Sequence, residues 1–190
     1  MNTRYLMALV ATVWTLVPAC TPIGPTFPPE VMDNLSPTFH FEAWRDASPT
    51  TEAGKADSGL KVKLGGRIVQ ASKNGKGTVI VAVQLPIVSS PAYGPAEPAQ
   101  QRVGDYEFAF LYPGELEPQA LRFGNKFIMV GTTSGRKPVI VNGVPKSQPY
   151  LVADCIHIWQ TGRSEIASFK EGIGGGYSPL PQKTSCITQK

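Results

Sequence analysis

Between Leu60 and Pro86 the chain alternates apolar and polar residues, with a Gly-Gly pair in one half and an Asn-Gly pair at the turn. Val62 and Leu64 are interleaved with Lys61 and Lys63, the period of a half-buried strand. Gly65-Gly66 predicts a bulge or sharp bend, after which Arg67-Ile68-Val69 resumes the strand. Lys73-Asn74-Gly75-Lys76 predicts a tight turn, because Asn-Gly supplies the positive φ values that two-residue hairpins require. Thr78 to Leu85 returns as a second strand with Val79, Val81, Val83 and Leu85 on one face, and Pro86 closes it. A hairpin whose first strand can bend sharply is the device by which a small sheet turns a corner and curls on itself.

The rest of the chain supplies partners for that hairpin. Asp105 to Tyr112 alternates aromatic and other residues and reads as a third strand. Lys126 to Thr133 reads as a fourth, with Ile128 and Val130 inward and Gly135 turning it. Val139-Ile140-Val141 is a short strand ended by Asn142-Gly143, and Pro149 to Gln160 is the last. Phe39 to Asp46 predicts a short helix with Phe41 and Trp44 on one face. Ser48–Ser58 and Ser89–Gln101 read as loops, and Pro113–Gly124 as a connection with room for one helical turn. Closely spaced strands with turn signals between them point to a small barrel or sandwich. At 190 residues one domain is expected. A charged fraction of 17% argues against a coiled coil. The fold class expected is all-β: a small OB-like β-barrel of about five to six strands with a short N-terminal helix and flexible tails.

The N-terminus reads as an address. Asn2, Thr3 and Arg4 make a short positive start, and Tyr5 to Pro18 is apolar and uncharged. The run is shorter than the ~20 residues that span a bilayer and has the size of a signal-peptide core. It ends in Val17-Pro18-Ala19-Cys20, which resembles the lipobox of bacterial lipoproteins. That resemblance implies cleavage before Cys20 and acylation of its sulfur and new amino group; Thr21 in the following position implies export to the outer membrane. The expected organisation is a signal peptide over 1–19, a lipidated Cys20 and Pro-rich tether over 20–38, the barrel over 39–162 and a Gly/Pro-rich tail over 163–190. The proline-rich start of the tether favours extended geometry and would act as a semi-rigid spacer.

The order of segments resembles the Slp family of outer-membrane lipoproteins. The pieces are the lipobox Cys20 with its tether; Leu64-Gly65-Gly66-Arg67-Ile68-Val69; Gly77-Thr78-Val79-Ile80 with Val83-Gln84-Leu85-Pro86; Gly114 with Leu116-Glu117-Pro118; Val130-Gly131-Thr132 before Gly135; and Ile156-His157-Ile158-Trp159. They run in the family's order over roughly 36–160. The resemblance implies an envelope lipoprotein and carries over no catalytic residues.

Candidate chemistry is sparse. Cys155 and His157 share a strand face, but positions two apart on a strand lie roughly 7 Å apart, beyond a hydrogen bond. Asp154 points the other way, and no further ligands complete a metal site. Packing is the reading preferred for the pair. Gly172–Tyr177 lacks the strand-to-helix setting and the Lys-Ser/Thr ending of a phosphate loop, and Glu115 and Glu117 read as solvated. No catalytic residue, metal or cofactor is expected. The net charge of +4 is scattered, without the concentrated basic face of a nucleic-acid binder. With Cys20 acylated, Cys155 and Cys186 are the remaining thiols. One bridge between them would staple the tail to the last strand; two free thiols, with Cys186 on a mobile tail, is the alternative. Tyr106, Phe108, Phe110 and Tyr112 share one strand face and form either core or a stacking platform for sugars. The expected function is therefore a non-enzymatic, outer-membrane-anchored lipoprotein with an envelope scaffolding or stress-related role. Its partners would be the membrane, through the lipid, and an envelope protein or glycan. The alternative is an OB-like barrel that binds an oligosaccharide or other envelope polymer.

Overall fold

The computed structural model describes residues 27–47, 58–88, 93–98, 106–162 and 180–187. The signal segment, Cys20, the first part of the tether, Asp105 and Gly172–Tyr177 lie outside the described residues. Within them are two short helices, α1 (Pro29–Met32) and α2 (Phe41–Asp46). Six strands follow: β1 (Lys61–Asn74), β2 (Gly77–Leu85), β3 (Glu107–Tyr112), β4 (Lys126–Val141), β5 (Val144–Trp159) and β6 (Gln182–Cys186).

The sheet order is β3-β2-β1-β4-β5-β6, and β3 also pairs with β5. That extra pairing is parallel, Ala109↔Tyr150 through Leu111↔Val152, and it closes β1, β2, β3, β5 and β4 into a ring. A five-stranded ring with a β1–β2–β3 meander, a β1–β4 pairing and a parallel β3–β5 closure is an OB-like barrel. Past Val152 the neighbour of β5 changes. Cys155 to Trp159 pair with β6 instead of β3, beyond a register shift between Val130 and Gly131 on β4.

Alternation along the strands divides two faces. Inward positions Val62, Leu64, Ile68, Ile80, Ala82, Phe108, Phe110, Phe127, Met129, Leu151, Ala153, Ile156 and Ile158 form the barrel interior. Helix α2 plugs one end: Phe41 stands edge-on to Trp44 at 5.8 Å and to Phe108 at 5.6 Å. Burying rings of this size contributes about 1.5–3 kcal/mol each, which explains how a helix this short is held. Leu116, Ala120 and Leu121, from the connection between β3 and β4, join the same interior. That connection contains the expected turn, with Ala120 N–H donating to Glu117 O and Leu121 N–H to Pro118 O.

Several expected boundaries are corrected. Gly65-Gly66 is not the bulge. Register holds through both glycines and shifts between Ile68 and Gln70, leaving Val69 as the extra residue. The glycines serve close approach instead: a Cβ on Gly66 would lie 2.6 Å from the Phe127 ring, and one on Gly65 2.7 Å from Leu85 O. The fragments expected at Lys126–Thr133 and Val139–Val141 are one strand, β4, bent by a register shift between Thr133 and Arg136. β5 starts at Val144, because Asn142 (φ 51°) and Gly143 (φ 80°) make a two-residue hairpin turn instead of ending a strand. The tail expected over 163–190 contains β6 at its far end, and the tether expected over 20–38 contains α1 packed on the barrel.

Candidate functional site: the anchor-side face

Ile128 and Val130, expected inward, point outward instead, because Phe127 and Met129 take the interior positions of β4. With Cys155 and Trp159 of β5 they form an apolar set that a lone barrel would leave in water. The chain leading away from the tether covers it. Phe27 is buried in this cluster at 7% exposure, and Val31, Met32 and Leu35 pack against it. Hydrogen bonds hold the segment in place: Ser36 N–H donates to Lys61 O (2.8 Å), and the side chain of Lys61 donates through Nζ to Glu30 O (3.3 Å). Residues 27–35 of the expected tether are thus a structural layer on the barrel.

Cys155 and Cys186 are joined by a disulfide under this layer, with Cα atoms 4.1 Å apart at a register pair of β5 and β6. His157, the next outward residue on β5, bonds to the same strand: Nδ1 is 2.6 Å from Thr184 Oγ1 and Nε2 is 3.2 Å from Gln182 Oε1. A neutral ring that accepts from the threonine hydroxyl and donates to the glutamine oxygen satisfies both contacts. Burial holds the imidazole below its ordinary value of 6.5, the Gln182 hydrogen bond opposing the shift. The sulfur is committed to Cys186 and the imidazole to β6, so the pair offers no nucleophile and base. Trp159 stacks edge-on against His157 at 4.3 Å, and its buried Nε1 has no hydrogen-bond partner among the described residues. Burial also pushes the Asp154 carboxyl up, against the pull of Lys61.

The aromatic row of β3 faces inward. Phe108 and Phe110 are fully buried and Tyr112 is 2% exposed, with ring centroids 5.2 Å apart between Phe110 and Phe127. Tyr106 is partly buried, stacked at 6.4 Å on Phe41, with its hydroxyl donating to Glu42 Oε1. Phe108, Phe110 and Tyr112 are core, so the row offers no continuous platform for sugars; Tyr106 alone of the four is partly open, at the end of the barrel that α2 plugs.

The outer face of β2 and β3, through which barrels of this topology take oligosaccharides and oligonucleotides, is covered as well. The β4–β5 hairpin folds back over it, so that Val139 and Val141 join Val81, Ala109 and Tyr150 in a separate buried cluster. Gln70 latches this arm at both ends of its amide, donating to Ile140 O and accepting from Asn142 N–H, each at 3.0 Å.

Polar surface remains in a cleft of about 480 Å³ lined by Arg45, Asp46, Tyr106, Glu107, Arg136, Gln148 and Pro149. Its groups engage one another. Arg136 donates to Arg45 O (2.6 Å) and Ser147 O (2.7 Å), Gln148 Nε2 donates to Glu107 Oε2 (3.1 Å), and Arg45 pairs with Asp46 at 2.8 Å. Glu117 pairs with Lys183 of β6 at 2.6 Å. No group of three or more metal-ligating side chains occurs among the described residues.

The family model for the outer membrane lipoprotein Slp family matches residues 18–182, from just before Cys20 into the first residue of β6. The chain belongs to the Slp family. It is accordingly an outer membrane lipoprotein, and the Slp match takes in the Cys20 position, the docked segment and the barrel together. No curated protein and no solved structure matches the chain.

Sequence reasoning missed two features of this Slp-family barrel. Asn125, 1% exposed, donates through Nδ2 to Gln119 O and Ala120 O and accepts at Oδ1 from Gly162 N–H, tying the β3–β4 connection to the end of β5. A polar residue just before a strand carries no signal of this. The docking of Phe27, Val31, Met32 and Leu35 did leave one, a 4-1-3 apolar spacing amid prolines.

Proposed function

We propose that this protein is a non-catalytic module, anchored in the outer membrane by a lipid on Cys20, that holds an envelope component close to the membrane in a scaffolding or stress-related role. The observation that carries this is the packing of residues 27–35 as a layer on the barrel, which couples the folded domain to its anchor. Support also comes from the commitment of Cys155 and His157 to holding β6, and from the burial of both the aromatic row and the outer β2–β3 face.

The test is Cys20→Ala in cells. The variant is expected to lose fatty-acid labelling and to leave the outer membrane fraction, while keeping its fold. Lipid labelling that persists in the variant refutes Cys20 as the anchor. In-cell cross-linking of the wild type then tests the scaffold: a reproducible protein partner supports it, and glycan attached without protein argues for a polymer binder instead.

A further inference from the structure

Six large apolar side chains stand exposed among the described residues. Ile140 and Val144 are at the tip of the β4–β5 arm; Ile87 (37%), Val88 (40%), Tyr93 (41%) and Phe123 (68%) lie elsewhere, around the outer face of β1 and β4. Ile87 and Pro95 sit over Gly65, where a Cβ would meet them at 2.9 and 2.8 Å. Next to Tyr93, Gly94 is fitted against Lys126 and Trp159, at 2.9 and 3.1 Å from a Cβ placed there. Phe123 is in the turn that enters β4, which Gly124 N–H fixes to Ile68 O and Lys126 N–H fixes to Thr161 Oγ1.

This is also the side on which the described chain begins, at Phe27. Trp159, against which Gly94 packs, shares its buried cluster with Phe27. From Phe27 back to Cys20 the chain covers seven peptide steps, at most about 25 Å even fully extended. A domain of this size is about 30 Å or more across. A tether shorter than the domain keeps the face it leaves from against the lipid and keeps the opposite face away from it.

Charge on the face suits such a surface. Lys63, Arg67 and Lys126 occupy outward positions of β1 and β4, and Arg122 adjoins Phe123. Glu97 is shared between Arg67 and Lys126, at 4.0 and 3.6 Å. Lys63 and Arg122 make no ion pair among the described residues. Basic groups are attracted to a surface of anionic lipid within about a Debye length, and exposed rings and aliphatic side chains among them gain by entering the headgroup layer. We propose that this face, with Ile87, Val88, Tyr93 and Phe123 foremost, rests on the anionic phospholipid headgroup surface of the membrane that anchors the chain.

The inference rests on lipidation of Cys20, so the experiment reads the two separately. The full-length lipidated protein is prepared with Val88→Cys, Phe123→Cys or Val144→Cys, nitroxide-labelled at the new thiol, and reconstituted into vesicles of phosphatidylethanolamine with a minor share of phosphatidylglycerol. Vesicle flotation reports the anchor. Collision of the label with oxygen against a water-soluble nickel chelate reports depth. The expected result is flotation of all three, with a several-fold higher oxygen-to-nickel ratio at 88 and 123 than at 144. Flotation with equal, water-like ratios at all three positions overturns the docking face and leaves the anchor standing. Failure of the wild type to float removes both. Spin–spin broadening at 123 that vanishes on dilution with unlabelled protein assigns the patch to a second copy and overturns the membrane assignment.

Discussion

His157 shows how a residue that invites a catalytic reading is claimed by structure. Both ring nitrogens are bonded to β6, and burial depresses the imidazole below 6.5. The unfolded chain therefore takes up a proton on this ring at a pH where the folded protein does not. Stability from this group is complete above about 6.5 and declines as the pH falls below it, until the folded ring itself titrates. Asp154 works with the opposite sign: its raised value favours the fold at low pH and is lost as the pH rises through it. The melting temperature is expected to drop between pH 7 and 5.5, with a smaller drop in His157→Gln; identical pH profiles for the two proteins would remove His157 from this role. At this scale the sequence was legible for which residues share a face, as with Phe108, Phe110 and Tyr112, but not for which face is inward: on β4 both faces are apolar, and Phe127 and Met129, not Ile128 and Val130, take the interior. Nor was it legible for Gly66, whose place is set by the Phe127 ring approaching from another strand.

Among the elements, a local signal located most of the strands and turns without fixing what each one does, as the misread Gly65-Gly66 bulge shows. The β1–β2 turn falls where the sequence placed it, but its central residues are Gly75-Lys76 between the paired Asn74 and Gly77. The positive φ is at Gly77 (139°), and Asn74 contributes through Oδ1, which accepts from Lys76 N–H at 2.9 Å, while α2 is written in the spacing of Phe41 and Trp44. Asn142-Gly143 was seen as a stop and is a hairpin tip, because the strands it joins hold their register through long-range pairing from Arg136↔Pro149 to Val141↔Val144. β6 had the weakest signal, five residues of polar character in a region that reads as tail. It exists because β5 offers it an edge and Cys155 offers it a covalent bond. The bridge closes a loop of 31 residues, worth about 3–4 kcal/mol by the chain-entropy argument. The double variant Cys155→Ala, Cys186→Ala is expected to lose stability of that order in urea titration and to show fast amide exchange confined at first to β6. A loss below about 1 kcal/mol would mean that the His157 bonds and Ile187 N–H to Asp154 O hold the strand without the bridge.

For the whole molecule, the barrel's outer faces decide what it can do. The β2–β3 face is covered by the β4–β5 arm and the β4–β5 face by residues 27–35, which leaves the β1 side, with Ile87, Val88, Tyr93 and Phe123 around it, exposed. Phe27 is the outermost buried residue of that segment. Phe27→Ala is expected to cost about 3–4 kcal/mol if the site stays open as a cavity, and to speed amide exchange across 27–36 without disturbing β1 to β4. An unchanged urea midpoint would show that the segment does not bear on the fold, and the coupling of domain to anchor would fall with it.

The sequence by itself determined the address-like N-terminus, the strand periodicities, the positions of the tight turns and the family. Each of these is local, or is carried in order along the chain. Only the tertiary structure decided the parallel β3–β5 closure, the fold-back of the arm, the capture of β6 and the docking of the tether's end. Those depend on which apolar face meets which, and alternation shows that a face is apolar without naming its partner. Val139 and Val141 look like any exposed-or-buried strand pair until Val81 and Ala109 are found beneath them.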